Sequence, residues 1–226
     1  MTTDLKNRDF NKIFRDFEAF TNIVLQQLDL LNKLFSISEK EEQNKLKKQL
    51  FENEILIDNF ENKLDNHIIR AIVLYKPIAS DLRQLFAVYR MVINLERIGD
   101  LIIKISNTEN FANSSSETKH IIKRISKMVN NSLLSFYNNN KELALETIKK
   151  DDEIDEFNSK FLKNSIKKVN IDEESKKLFL NIVNEKTIVS SLERIGDHAT
   201  NIAEAAIYYI SGKNIRHQDA DNKENL

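Results

Sequence analysis

The chain has 226 residues and a formal net charge of −1, and it contains no cysteine. A net charge near zero gives no reason to expect binding to nucleic acid or to anionic membranes through bulk electrostatics, and the lack of cysteine excludes disulfides, thiolate metal sites and thiol catalysis. Charged residues make up 31% of the chain and there is a single proline, a composition typical of long amphipathic helices.

The sequence gives no sign of a segment that is exported or crosses a membrane. The N-terminal residues contain no apolar run that could act as a signal peptide. No stretch approaches the roughly eighteen consecutive apolar residues of a transmembrane helix. We therefore expect a soluble intracellular protein.

Three long helices are predicted in the first half of the chain. Apolar residues at steps of three and four predict the first helix over 9–35 and the second over 41–75. Pro77, the only proline, should end the second helix because its ring and its missing N–H cannot continue one. The third helix is predicted over 80–106. Apolar side chains cover most of its circumference, so it should be the central helix of a bundle.

The second half repeats this plan after a predicted linker at 107–116, where the periodic pattern breaks. Asp172 is the expected N-cap of the last helix, and Gly212 suits its C-terminal stop. The polar residues from 213 to 226 are predicted to form a disordered tail. The three helices of this half are predicted over 117–137, 141–169 and 173–210.

These elements predict an all-α fold of six long helices, arranged as two tandem three-helix bundles related by internal duplication. The bundles should span residues 8–106 and 117–212. The duplication is visible as a repeated hexamer. Residues 95–100 and 192–197 both read Leu-Glu-Arg-Ile-Gly-Asp, 97 positions apart.

The same offset holds for a second, acidic segment that precedes each hexamer. Glu54 and Asp58 in the first half correspond to Asp151 and Asp155 in the second, and each pair flanks an isoleucine. Each half therefore carries an acid-x-x-Ile-Asp segment and then the hexamer. A further predicted feature is a close approach of a neighbouring helix at the glycine of each hexamer, because glycine inside a helix costs about 1 kcal/mol relative to alanine.

Four pairs of acids in these segments lie four residues apart, so each pair points to one side of its helix. Acid pairs at this spacing are common by composition alone in a chain with 35 acids. Their repetition in matching register is what composition does not explain. The arginine of each hexamer is displaced by about 100° from the preceding glutamate, so we expect it to be poorly placed to neutralise its own pair. The four pairs are Glu54 with Asp58, Glu96 with Asp100, Asp151 with Asp155, and Glu193 with Asp197.

If the two acid-bearing helices of each half pack side by side, several carboxylates crowd one surface. Two carboxylates about 6 Å apart repel by roughly 3 kcal/mol at an effective dielectric constant near 20, which calls for proton uptake or a cation. Oxygen ligands suit magnesium, manganese, calcium and iron, whereas zinc usually prefers nitrogen or sulfur. The physical prediction is two equivalent metal sites, one per bundle. Asn201 and Glu204 extend the acidic stripe of the last helix, and Glu61 and Asp65 extend that of the second.

The duplicated hexamer, the acidic segments and the stretch Lys-Pro-Ile-Ala-Ser-Asp-Leu-Arg at 76–83 resemble the PhoU family, over nearly the whole chain. This resemblance implies two three-helix bundles that carry clusters of iron, zinc or other metals on the repeated acids. It also implies a cytoplasmic homodimer that regulates negatively. Such a protein links the phosphate ABC transporter, through its ATPase subunit, to the phosphate-sensing histidine kinase, and reaches the inner membrane only through these partners.

The family's ligand pattern carries over to the four acid pairs, with two departures and one further match. Glu54 stands where the family usually has aspartate, and should still bind with a longer reach. Asn201 is carried over as a ligand in the second half, but its counterpart in the first half is Lys104. The first site is therefore expected to hold less metal or a different one. Asp81 also matches the pattern, and its two readings are a metal ligand and an N-terminal charge that the helix dipole favours.

Two other classes of function are weighed against a metal-binding adaptor. A ferritin-like di-metal oxidase needs Glu-x-x-His on two helices, and only Glu117 and His120 have that spacing. The other alternative is a metal-free scaffold that binds basic partners through its acids. The sequence contains no phosphate-binding glycine loop and forces no nucleophile–base pair, so no enzyme activity is expected. His198 follows Asp197 but points about 100° away from it, which argues against its being a ligand.

Overall fold

A computed structural model describes residues 2–109, 111, 114–166 and 173–215 of the chain. These residues form helices and no strand, as the sequence predicts. The described helices are α1 (Thr2–Leu34), α2 (Lys40–Tyr75), α3 (Ala79–Ser106), α4 (Ser116–Tyr137), α5 (Lys141–Lys149), α6 (Asp151–Ile166) and α7 (Glu173–Ser211).

The first helix begins earlier than its apolar pattern predicts. α1 is helical from Thr2, whereas the prediction started at residue 9 and placed the bundle boundary at residue 8. These polar turns are held by Lys6, whose ammonium lies 2.5 Å from the Asp81 carboxylate of α3 and 5.3 Å from the Phe10 ring centroid. Pro77 acts as predicted, since α2 ends at Tyr75.

The predicted fifth helix is divided at Lys150 into α5 and α6. Lys150 keeps right-handed backbone angles, with φ −72° and ψ −13°, so the chain bends there without leaving the bundle. Together α5 and α6 take the place of the single predicted helix. The end of that helix at 167–169, the N-cap at Asp172 and part of the predicted linker lie outside the described residues.

The C-terminal boundary also differs from the prediction. Gly212 ends α7 as expected, with φ +72° and its N–H donating to the Tyr208 carbonyl over 2.9 Å. The predicted tail was to begin at residue 213, yet Ile215 is 1% exposed and packs with apolar residues of α5 and α7. The beginning of that segment is therefore part of the packed structure, and residues 216–226 lie outside the described part of the chain.

The helices form two bundles that share one hydrophobic core. α1, α2 and α3 pack together, as do α4, α5, α6 and α7, and the most extensive contact between helices joins α3 to α7. α3 contacts helices of both bundles, so it is central in the molecule as a whole. Within its own bundle the most extensive contact is the one between α1 and α2, which does not support the prediction that α3 is the central helix there. The main core is continuous through α1, α2, α3, α4, α6 and α7, and α5 packs on α7 in a second, smaller apolar cluster. In the described part of the chain, no helix has the length and apolar character needed to cross a membrane.

The start of α4 is fixed by a carboxylate from α7. Ser115 caps α4 by accepting the Thr118 N–H over 3.2 Å. Glu185 accepts the Ser115 N–H over 2.7 Å and the Thr118 hydroxyl over 2.6 Å. A negative charge at a helix N-terminus is favoured by the free N–H groups and the dipole. This contact sets how α4 enters its bundle beside α7.

Candidate functional site

The glycine of each hexamer makes room for an acid on the neighbouring helix. A Cβ built on Gly99 would lie 2.9 Å from Oε2 of Glu54, and one built on Gly196 would lie 2.8 Å from Oδ1 of Asp151. Both distances are shorter than real Cβ contacts. The predicted close approach is therefore present in both halves, and it places the first acid of each acidic segment against the backbone of the hexamer helix.

The isoleucine of each acidic segment fixes its register. Ile57 is fully buried and Ile154 is 2% exposed, so both side chains point into the core. In a helix the residues three before and one after such an anchor are rotated from it by about 60° and 100° to the same side. The acid-x-x-Ile-Asp pattern therefore brings both of its carboxylates to the edge of the core, facing α3 in the first half and α7 in the second.

The second half assembles a compact group of three carboxylates. Asp151 and Asp155 of α6 and Asp197 of α7 each offer one oxygen, and these oxygens lie within 4.8 Å of one another. Among the described residues it is the one such group of three or more His, Cys, Asp or Glu side chains. Oδ1 of Asp151 is buried and has no hydrogen-bond partner in the described part of the chain. The set is all oxygen and open toward its centre, as a hard cation requires.

Burial and mutual repulsion raise the pKa values of these acids. Burial, and then the charges of Asp197 and Asp155, raise the pKa of Asp151 to about 7. The pKa values of Asp155 and Asp197 are also raised, first by burial and then by neighbouring acids that include Glu193. Without a cation, the group can lower its repulsion only by taking up a proton near neutral pH.

The other two predicted ligands of this half lie beside the group. Glu193 accepts a hydrogen bond from the Asn158 amide over 2.5 Å, and Lys186 donates to the oxygen of the same amide. Asn201 lies one turn beyond Asp197 on α7 and is half-buried. Glu193 is thus oriented by polar side chains of α6 and α7 and adds negative charge at the edge of the group.

The first half places its acids in the same way but supplies polar partners for them. The Gln27 amide of α1 donates to Oε2 of Glu54 over 2.9 Å. The pKa of Glu54 is raised to about 7, by burial first, and that of Glu96 is raised to about 7 by burial and by the charge of Asp100. Asp58 and Glu61 add to the repulsion on Glu96.

Arg97 corrects the expectation that the hexamer arginine cannot reach its own acids. Its guanidinium lies 3.3 Å from Glu96 and 3.3 Å from Asp100. The side chain is long enough to fold back over the turn, which the 100° displacement at the backbone does not prevent. The first half therefore provides a cation of its own where the second half has three converging carboxylates, so the two sets of acids are not equivalent.

Asp81 and His198, which were weighed as metal ligands from the sequence, lie away from the carboxylate groups. Asp81 pairs with Lys6 in the first turn of α3, and a rise of about 1.5 Å per residue puts it about 28 Å along the helix from Asp100. His198 turns toward α3, where its Nδ1 lies 2.9 Å from Oδ1 of Asn94. The structure therefore does not bring either side chain into the group of Asp151.

Sequence reasoning missed two amides that orient the acids. Gln27 is fully buried on the apolar face of α1, and a polar residue in an apolar stripe is the signal that marks it. Asn158 lies one turn after Ile154 on α6. Among the many asparagines of this chain nothing distinguishes it, because its role depends on Glu193 of another helix.

The raised pKa values predict how the metal-free protein responds to pH. Between about pH 4.5 and 7 the folded chain binds more protons at Glu54, Glu96 and Asp151 than the unfolded chain does, so its free energy of unfolding falls as pH rises. With a chelator present, we expect a lower melting temperature near pH 8 than near pH 5, measured by circular dichroism.

The combined substitution Glu54→Gln and Asp151→Asn should flatten this pH dependence, and Glu142→Gln, at an exposed acid of α5, should leave it unchanged. A melting temperature that rose from about pH 5 to about pH 8 in the parent protein would contradict the account, because it would mean that these acids are more acidic in the folded state.

The fold and the site define an all-α protein of two duplicated bundles that place paired carboxylates, half-buried or exposed, on neighbouring helices. The family model described as the PhoU domain matches the chain twice, at residues 17–108 and 118–206. The chain belongs to the PhoU family, which confirms the resemblance seen in the sequence.

Two relatives carry the name phosphate-specific transport system accessory protein PhoU homolog. The protein from Pseudomonas aeruginosa is 32% identical over 179 residues, which cover 76% of this chain and 73% of the relative. The protein from Clostridium acetobutylicum is 29% identical over 184 residues, which cover 78% of this chain and 82% of the relative.

Solved structures share the fold. The crystal structure of PhoU from Pseudomonas aeruginosa matches with a TM-score of 0.81 at 28% identity, covering 92% of this chain and 99% of that one. The phosphate transport system regulatory protein PhoU from Streptococcus pneumoniae matches with a TM-score of 0.77 at 19% identity, covering 92% of this chain and 98% of that one. Because its identity is only 19%, the second match supports the shared fold alone.

Proposed function

We propose that this protein is a metal-binding accessory protein of a phosphate-specific transport system. In this role it is a cytoplasmic adaptor and a negative regulator. It couples the transporter's ATPase subunit to the phosphate-sensing histidine kinase. The family membership and the names of the relatives support the transport role. The observation that carries the metal-binding part is the convergence of Asp151, Asp155 and Asp197 within 4.8 Å.

The donor set fits a hard cation. Asp151, Asp155 and Asp197 would hold it, with Glu193 at the edge and Asn201 one turn further along α7. An iron, manganese or magnesium ion supplies positive charge that offsets the repulsion among these acids, and zinc is less favoured because it usually takes nitrogen or sulfur ligands. The residues of the chain do the rest: Gly196 leaves room for Asp151, and Asn158 orients Glu193.

The exposed apolar side chains support a function that depends on binding to another protein. A group of them surrounds the turn between α2 and α3, and α3 itself carries further ones. Monomeric proteins rarely expose many large apolar side chains together without an interaction role. We assign this surface to the contact with a protein partner, the transporter's ATPase subunit, while homodimer formation is a separate proposal. The side chains at the turn are Ile69, Val73, Leu74, Ile78 and Leu82.

No second function is proposed. The oxidase reading depended on Glu117 and His120, which are both exposed on α4. The group of Asp151 contains no histidine among the described residues.

Deletion of the gene is expected to leave phosphate-starvation genes switched on in phosphate-rich medium, because the negative signal from the transporter would be lost. Reporter expression from a starvation promoter measures this. The wild-type gene should restore repression. A gene with Val73→Glu and Ile78→Glu, at positions 66% and 79% exposed, should not, and its product should fail to capture the ATPase subunit from detergent-solubilised membranes.

A gene with Leu180→Glu and Val183→Glu is the matched control, at α7 positions that are 59% and 44% exposed. They lie about 44 Å or more along α7 from Gly212, the end of that helix that contacts Arg83 of α3. This control should behave as wild type. Normal repression in the deletion strain would remove the regulatory role. If the variant at Val73 and Ile78 captured the ATPase subunit as fully as wild type does, the docking surface would have to lie elsewhere.

A further inference from the structure

A groove between α3 and α7 gathers positive charges from both halves of the molecule. Its cavity has a volume of about 270 Å³. α3 contributes Arg97, Asp100, Leu101 and Lys104, and α7 contributes Arg194 and His198. The cavity is several times the roughly 30 Å³ that one water molecule occupies in the liquid, so it has room for a small ion with part of its hydration shell.

The charge in the groove is positive. Asp100 is the one carboxylate among its lining residues, and Arg97 contacts it at 3.3 Å. Lys104 and Arg194 are both exposed, and the charge of Arg194 also acts on Asp197, whose pKa it lowers. The two cations line the same space from opposite walls.

The duplication explains why the arginines meet here. Arg97 and Arg194 occupy the same position in the two hexamers. The isoleucine that follows each of them is fully buried, which turns both arginines outward beside the α3–α7 contact. Lys104 adds a third cation that the second half lacks, because its counterpart is Asn201. The charge therefore follows from how the bundles pack.

His198 forms part of the wall without supplying charge. The Asn94 amide nitrogen donates to the Arg90 carbonyl over 2.7 Å, so its oxygen is the atom that faces His198. The imidazole Nδ1 therefore carries the hydrogen and donates to Asn94. This hydrogen bond joins the two bundles at the base of the groove.

We propose that this groove binds a small tetrahedral oxyanion of the phosphate class, held mainly by Lys104 and Arg194, with Arg97 at its edge. A guanidinium offers two parallel N–H donors that match a pair of phosphate oxygens, and an ammonium adds a compact positive charge. This inference goes beyond the proposed function, because no part of it requires a metal or a protein partner.

The test is calorimetric titration of the full chain with inorganic phosphate, in low salt and with a chelator present so that no metal mediates binding. The expected result is saturable binding at one site per chain. The double substitution Lys104→Ala and Arg194→Ala should weaken it at least tenfold. Sodium chloride should weaken it progressively, because exposed charge pairs are screened.

The matched control is a second cationic cavity, between α1 and α2, which has a volume of about 200 Å³ and is lined by residues that include Lys12 and Arg70. Lys12→Ala with Arg70→Ala removes the same charge and should leave phosphate affinity within twofold of wild type. Equal loss in both double variants would overturn the proposal, since it would show that net charge alone attracts the ion. Absence of saturable binding would overturn it as well.

Two further experiments distinguish phosphate binding in the groove from binding at the carboxylates and from binding to lipid headgroups. Glu193→Ala with Asp197→Ala should keep its phosphate affinity, and loss of phosphate binding there but not in the groove variant would overturn the assignment to the groove. Sedimentation with phosphatidylcholine vesicles, with and without phosphatidic acid, should show no groove-dependent binding. Vesicle binding that needs Lys104 and Arg194, with no response to free phosphate, would overturn the assignment to a free ion.

Discussion

Replacing Asp151 and Asp197 with alanine is expected to remove metal from the C-terminal half of the protein. The two side chains supply two of the three oxygens that lie within 4.8 Å of one another. The loss of affinity should therefore exceed the roughly 10–100-fold cost of removing a residue that only hydrogen-bonds to a metal ligand. Elemental analysis of protein purified without chelator, followed by manganese titration, measures this. Replacing Glu96 and Asp100 should remove less metal, because Arg97 already contacts both acids.

The same experiment has a built-in check on folding. Asp151 is half-buried and Asp197 is exposed. Because the two acids repel each other, removing both should leave the metal-free protein at least as stable as wild type near pH 8. An unchanged or higher melting temperature would then show that the loss of metal is not due to unfolding. Asp152→Ala with Glu156→Ala, at two exposed positions of α6, is the control and should retain its metal. Undiminished metal in the variant at Asp151 and Asp197 would reject the ligand assignment. No metal in the wild-type protein would favour the metal-free scaffold.

Phe17→Ala is expected to lower the free energy of unfolding by about 3–5 kcal/mol. Phe17 is fully buried on α1 and meets Phe136 of α4 edge to face, with ring centroids 5.9 Å apart, and Tyr137 at 6.1 Å. The substitution opens a cavity where the two bundles share their core. Urea denaturation followed by circular dichroism measures the change.

One cooperative transition should persist in this variant, shifted to lower urea, because the core is continuous between the bundles. Phe51→Ala, at a phenylalanine 61% exposed on α2, is the control and should cost far less. If the bundles were independent units, Phe17→Ala would split the transition in two, one part unshifted. That outcome would contradict a shared core.

The sequence was sufficient for the fold because its signals are strong and repeated. Apolar residues at helical spacing, a single proline at residue 77 and two copies of one hexamer define the helices and their pairing. The start of α1 was missed because residues 2–8 are polar except for the exposed Leu5, and they are held by the contact of Lys6 with Asp81 of another helix. The packing of Ile215 was missed for the same reason, since one isoleucine in a polar segment has no periodic pattern to mark it.

For the site, the sequence predicted that acids of neighbouring helices crowd one surface and that a helix approaches closely at each hexamer glycine. It also predicted that the first half holds less metal or a different one, because Lys104 stands where the second half has Asn201. It could not predict how the contacts of the acids differ between the two halves. That difference depends on the rotamer of Arg97 and on Gln27 reaching Glu54 from a third helix. Both are tertiary contacts between residues that are distant in the chain or free to choose among several side-chain orientations. The assignment of a metal to these acids stays a prediction.

The absence of a side chain at Gly99 and Gly196 also limits which substitutions this protein can accept at these positions. Alanine is the best helix former and glycine one of the poorest, so a mutational scan for thermal robustness would reward alanine at both positions on helix propensity. The added methyl group would stand 2.8–2.9 Å from a carboxylate oxygen and push that acid outward. The helix would be more stable, but the acid would be displaced. Selection should therefore oppose substitution of these glycines by alanine wherever the acids are needed for function.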